Sequence, residues 1–328
     1  MKRNYYRFFF AFFCAILFNL NAVTVAAQNA KSRITVASNV RVRSMPNTTA
    51  EEIAKLPIGV IVRELEQSST KERIANSEDY WYKVALADGK EGWLFGSFTV
   101  PFDARNKAAI YKQIAADRLK VESANFVDWA DLSRFLTTAA TEVSDKETLA
   151  WLELARLLAM RNAAAALPID KQTQPPFQAW LKANETNLVY SDPAGQWFVK
   201  ADLFWNLHKK YSALPIGNQI AWQAANTSLG GECEGYIPCH LSRLNITTGR
   251  YLKLYPQGAY THLALTQMQE ELQSLIEYHK TEQDKPAPDE KKDALPEFAA
   301  LRTTLTKITS AKKAKVLQLL TQLEARYR

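Results

Sequence analysis

The chain has 328 residues, 47% of them hydrophobic and 23% charged, close to globular averages and long enough for two domains with their own cores. Its formal charge of +7 falls to +4 if Lys2, Arg3 and Arg7 are removed with a leader segment. That mild excess falls far short of a nucleic-acid-binding signature, so no nucleic-acid partner is expected, and it is compatible with an anionic polymer such as cell wall.

Residues 1–27 have the layout of a secretory signal peptide. Lys2, Arg3 and Arg7 form the charged start, Phe8 to Phe18 the apolar stretch, and Val25 and Ala27 the small-residue cleavage site before Gln28. The apolar stretch is far shorter than the about 20 residues of a membrane span, and polar Asn19 and Asn21 follow it. Cleavage therefore predicts an exported protein, periplasmic or extracellular, with no membrane span remaining.

Residues 33–100 alternate with period 2 and are rich in turn residues, which predicts strands. Ile34-Thr35-Val36 opens the first. In Asn39–Arg43 the valines share one face and Arg41 and Arg43 the other, and Met45-Pro46-Asn47 turns the chain. Ile53, Leu56 and Gly59–Val62 make the next buried pair of elements. Trp81–Leu86 is a strand, Asp88-Gly89 a hairpin turn, and Glu91–Leu94 the returning strand.

The stretches "NVRVRSMPN", "IAKLPIGVIVRELE" and "WYKVALADGKEGWLFGSF" together resemble the bacterial SH3-like family. Two departures stand out: Ser44-Met45 before Pro46, where the family favours serine-glycine, and the longer polar insert Gln67–Asp79. The resemblance implies a small, strongly bent β-barrel that contacts peptidoglycan or a peptide. With Val84 facing the core, Trp81 falls on the opposite face beside the insert. Trp81, Tyr80, Lys83, Arg41 and Arg43 are accordingly the candidate binding residues, an aromatic and cationic groove for an anionic peptide or sugar polymer.

From Pro101 the period changes to 3.6. Ala108–Leu119 is a helix. Phe126, Trp129, Leu132, Phe135 and Leu136 form an apolar stripe, and Ser144 with Glu147 has the capping-box pattern of a third helix. Pro175-Pro176 precedes Phe177–Lys182. Asp192-Pro193 predicts the start of a helix carrying Trp197, Phe198, Phe204, Trp205 and His208, followed by Ile216–Ser228 and Leu241–Tyr255. The segment around Tyr251, Tyr255-Pro256, Gly258 and Tyr260 resembles the join between helices in tetratricopeptide-like proteins, in one copy without a 34-residue repeat. Residues 280–293 form a charged, proline-containing linker, and residues 294–328 two amphipathic helices.

Gly230–His240 is glycine-rich and unlike its helical surroundings. Cys233 and Cys239 are the two cysteines left after the leader is removed, which predicts a disulfide. A zinc site fits poorly, because five residues separate the cysteines and no second Cys/His pair exists. A cysteine nucleophile beside His240, or a glycosidase pair from Glu232 and Glu234, would place a cell-envelope hydrolase here. No cofactor-binding motif is present, and neither cofactor nor metal is expected.

The expected architecture is therefore two-domain, a small all-β SH3-like barrel (33–100) followed by an all-α irregular helical array (101–279). The expected function is non-enzymatic binding or scaffolding. The β-module would contact peptidoglycan or a peptide, and the helical domain a protein partner around Trp197–Tyr211 and the 230–240 loop. The hydrolase is the alternative.

Overall fold

The computed structural model describes residues 31–280 and 286–328, so the signal-peptide segment 1–27 and the middle of the charged linker lie outside the described residues. The strands are β1 (Ser32–Thr35), β2 (Val40–Arg43), β3 (Glu52–Leu56), β4 (Ile61–Gln67), β5 (Glu72–Ile74), β6 (Ser77–Asp79), β7 (Trp81–Ala85), β8 (Glu91–Phe95) and β9 (Thr99–Phe102). Seven of them form one antiparallel sheet in the order β3-β2-β8-β7-β4-β1-β9. The period-2 pattern is realised as expected. Val40, Val42, Val62, Val84 and Leu94 point inward and are buried.

Three details differ from expectation. The sheet is not a closed barrel: β3 and β9 remain its edges, and β9 runs on into the helical region. Ile61 is exposed where the sequence suggested burial, since the inward face of β4 belongs to Val62. The polar insert is itself ordered, as the separate hairpin β5–β6.

The helices are α1 (Lys107–Arg118), α2 (Phe126–Thr141), α3 (Lys146–Ala165), α4 (Phe177–Ala183), α5 (Ala201–Tyr211), α6 (Gly217–Ala225), α7 (Ile237–Leu244), α8 (Arg250–Leu254), α9 (Thr261–Lys280), α10 (Pro288–Thr306) and α11 (Lys312–Glu324). The stripe on α2 is buried throughout, and a reciprocal box caps this helix. Asn125 Oδ1 accepts from Val127 N, and Asp128 Oδ2 accepts from Asn125 N. The cap of α3 is Asp145, which accepts from Thr148 N at 2.8 Å, one residue beyond the expected Ser144. Among the described residues no helix is long and apolar enough to cross a membrane.

The region after residue 100 is not purely helical. Asp192-Pro193 lies in the turn of a two-stranded hairpin, β10 (Leu188–Ser191) with β11 (Gln196–Val199), and the helix begins only at Ala201. Trp197 and Phe198 thus sit on a strand, while Phe204, Trp205 and His208 face the core from α5 as expected. The charged linker is shorter than its composition suggested, because α10 starts at Pro288 with Asp289 and Glu290 in its first turn. Phe298, Leu301, Leu305 and Ile308, with Val316, Leu319, Leu320 and Leu323, dock α10 and α11 on the main core.

Residues 31–328 form one compact unit. A shared hydrophobic cluster joins Ile34 of β1 and Ile58 of the β3–β4 turn to Phe126, Leu132, Phe135 and Leu136 of α2. The helices therefore continue the core of a β-module too small to bury much surface alone.

Candidate functional site

The β-module carries a groove of about 360 Å³ whose lining includes Arg41 and Arg43 from β2 and Trp81 from β7. The sequence-predicted set thus comes together in part. Arg41 projects from the solvent side of β2, its side chain 59% exposed, with Glu52 Oε2 at 3.3 Å. Arg43 donates through Nη1 to the Ala50 carbonyl at 2.7 Å, which fixes the guanidinium over the turn. Exposed pairs such as Arg41–Glu52 hold weakly, so Arg41 remains available to an anion.

Trp81 does not stand on an open outer face. Its ring is only 2% exposed, against Phe95 at 5.5 Å edge-on, and its Nε1 donates to Glu72 Oε2 at 2.9 Å. Parity does put Trp81 opposite Val84, but the insert folds over that face and supplies Glu72 and Ile74 as cover. Trp81 is therefore the groove floor, continued by Phe95 and Phe98, whose rings lie 6.0 Å apart. Phe98 is 41% exposed and offers the aromatic face that Trp81 was expected to offer.

Two of the predicted residues lie elsewhere. Lys83 pairs with Glu91 at 3.1 Å opposite Trp93, and Tyr80 sits beneath Lys71 at 5.4 Å; neither lines the groove. Ile74, Phe95 and Phe98 were missed. Phe98 follows β8 in a short 3-10 turn, Gly96–Phe98, outside any alternating pattern that could assign it a face.

The second candidate region is the 230–240 loop. Cys233 and Cys239 are joined by a disulfide, with their Cα atoms 5.5 Å apart. The bonded sulfurs leave no thiolate there to act as a nucleophile, which corrects the cysteine-peptidase alternative. His240 Nδ1 lies 3.0 Å from Glu271 Oε1, an orienting contact turned to α9, and Glu232 and Glu234 are both exposed. Arg243 donates to the Gly230 carbonyl at 2.6 Å, and Gly231 N donates to Ser191 Oγ at 3.2 Å. Tyr236 donates to Asp293 Oδ2 at 2.8 Å, and this bond, with slight burial and further negative charge on α10, pushes the phenol up to about 12. The loop is thus tied to the hairpin, α7 and α10. Among the described residues no group of three or more His, Cys, Asp or Glu side chains could hold a metal ion.

Closing a seven-residue loop stabilises the fold by about 2 kcal/mol in the chain-entropy model. Replacing both cysteines by serine is therefore expected to lower the melting temperature by about 3–6 °C without loss of fold, as read by calorimetry. A melting point unchanged by the double substitution would show the bridge to be dispensable.

Along 197–211, Phe204, Trp205, Leu207 and Tyr211 serve the core, and Asp202, Asn206, Lys209 and Lys210 form the exposed face. Trp197 is half-buried and donates to Gln172 Oε1 at 3.0 Å.

No curated protein and no solved structure matches the chain. Residues 38–100, which carry the groove, match the family of the bacterial SH3 domain, a module that typically binds cell-wall material or peptides, while residues 101–328 lie outside that match.

Proposed function

We propose that the protein is an exported, non-enzymatic binding protein whose SH3 domain grips peptidoglycan or a peptide in the Arg41–Arg43 groove. The observation that carries this reading is the groove's makeup, two guanidinium groups above an aromatic floor of Trp81, Phe95 and Phe98. Aromatic faces suit sugar rings and apolar side chains, and the guanidinium groups suit the carboxylates of cell-wall polymer. A disulfide on the helical side is compatible with an oxidising compartment, periplasmic or extracellular. The helical domain then serves as the body that carries the module and presents the crosslinked loop to a protein partner.

Sedimentation with purified, insoluble peptidoglycan tests the groove. Because Trp81 is almost fully buried, its removal would damage the module itself, so Arg41→Glu and Phe98→Ala, both at exposed positions, are the informative variants. The wild type is expected to pellet, and the double variant to bind about tenfold more weakly or worse with an unchanged melting curve. Pelleting by both alike, or by neither, overturns the proposal for peptidoglycan.

A further inference from the structure

A second cavity, of about 470 Å³, opens where the β-module meets α2, α3 and α4. That volume lies in the range of small-ligand pockets. Phe126, Met160 and Trp180 give it apolar walls, and its charged lining consists of Lys55, Asp131, Arg134 and Arg156.

Three of those charges are already engaged. Lys55 pairs with Glu52 at 3.2 Å, and Arg134 pairs with Asp131. Asp131 Oδ2 also accepts from Ile58 N at 2.7 Å and from Ser38 Oγ at 3.0 Å. Arg156 differs from all of them. It sits half-buried on α3 and makes no hydrogen bond, ion pair or ring contact among the described residues. Burial holds its guanidinium below the ordinary range, opposed only by Glu153, whose carboxylate is itself bonded to Lys210 at 2.8 Å.

A half-buried cation with five donors and no acceptor is costly for a fold to keep. Its stem could be supplied by methionine at no electrostatic cost. The charge therefore points to an acceptor that arrives from outside.

We propose that this cavity binds the free C-terminal carboxylate of a peptide, with Arg156 as the gripping fork and the peptide's apolar end against Phe126, Met160 and Trp180. The planar guanidinium matches a carboxylate with two parallel hydrogen bonds. Asp131 on the same wall adds negative charge, which favours a monoanion over a phosphate dianion. The site is distinct from the Arg41–Arg43 groove and does not depend on what that groove binds.

The test is calorimetric titration of the full chain with three probes: N-acetyl-Leu-Ala-Ala as the free acid, the same peptide as its C-terminal amide, and N-acetyl-Glu-Ala-Ala amide. The free acid is expected to bind the wild type at least about tenfold more tightly than either amide. Arg156→Met is expected to erase that preference while melting at or above the wild-type temperature, and Arg41→Glu to leave it intact. Equal binding of acid and amide, or no binding of any probe, overturns the proposal. So does equal binding of the glutamate amide, which would make a side-chain carboxylate the ligand. Loss of the preference in Arg41→Glu would move the carboxylate to the other groove. A lower melting temperature in Arg156→Met would show the guanidinium to be a structural support.

Discussion

Gly59→Ala is expected to lower the unfolding free energy by about 3 kcal/mol or more, read as an earlier midpoint in urea. Gly59 has φ +86, a left-handed backbone that costs an L side chain about 1–2 kcal/mol. A Cβ there would also stand 2.1 Å from Phe135 Cδ2, inside the ring of a buried α2 residue. The turn cannot drift away to relieve that clash. Gly59 N donates to the Thr35 carbonyl at 2.9 Å, Thr35 Oγ1 donates to the Pro57 carbonyl at 2.6 Å, and Val60 N donates to Thr35 Oγ1 at 2.9 Å. Gly89→Ala is the matched control. Its φ of +83 is similar, but nothing lies within 4 Å, so it should lose only the conformational part, about 1 kcal/mol. Equal losses in the two variants would mean that the turn does not pack on Phe135.

Asp131→Ala should cost about 2–4 kcal/mol, because it strands more than its own charge. Ile58 N is buried under the sheet–helix junction and has the Asp131 carboxylate as its acceptor at 2.7 Å, and Ser38 Oγ shares the same oxygen. Removing the carboxylate orphans a buried N–H, frees Arg134 and opens the joint between the β-module and α2. Asp131→Asn keeps one acceptor oxygen and should lose less. Circular dichroism of strand and helix signals during melting checks the wider consequence. Since Ile34 and Ile58 share a core with α2, both signals should fall in one transition, displaced to lower temperature in Asp131→Ala. A β signal that melted separately while the helices stayed intact would show the joint to be energetically minor.

The β-module was readable because its chemistry is local. Alternating valines, the Asp88-Gly89 turn and the Trp81–Leu86 strand each specify their conformation within a few residues, and each forms as expected. The helical stripes were readable for the same reason. What the local pattern could not carry was cover. Parity assigns Trp81 to the face opposite Val84, but whether that face meets solvent depends on an insert whose polar composition hides the β5–β6 hairpin.

Asp192-Pro193 shows the opposite failure, a local signal with two meanings. Aspartate followed by proline starts helices and also starts turns. Leu188-Val189-Tyr190-Ser191 before it and Gln196-Trp197-Phe198-Val199 after it, with Gly195 between, were the evidence for a hairpin. Those eight strand-forming positions lie within a stretch whose period is otherwise 3.6, which masks them. Likewise the Lys280–Asp293 composition suggests a linker, but its last residues take the acid-rich first turn of α10. There Glu290 accepts from the Tyr327 phenol at 2.7 Å, a contact 37 residues away in sequence that no local reading can supply.

Arg156 carries no local signal in the sequence for a related reason. On a helix dense with leucine and alanine it reads as a solvated charge, and only the fold brings it into one cavity with Lys55, Asp131 and Arg134.

Amide hydrogen exchange on the intact chain, with and without soluble peptidoglycan fragments, measures directly where recognition happens. Slowed exchange should concentrate in the backbone of Val40–Arg43 and Gly96–Phe98, with the fragments recovered unbroken at the end. Protection confined to the crosslinked loop at 230–240, or fragments shortened during the incubation, would contradict recognition by the SH3 groove.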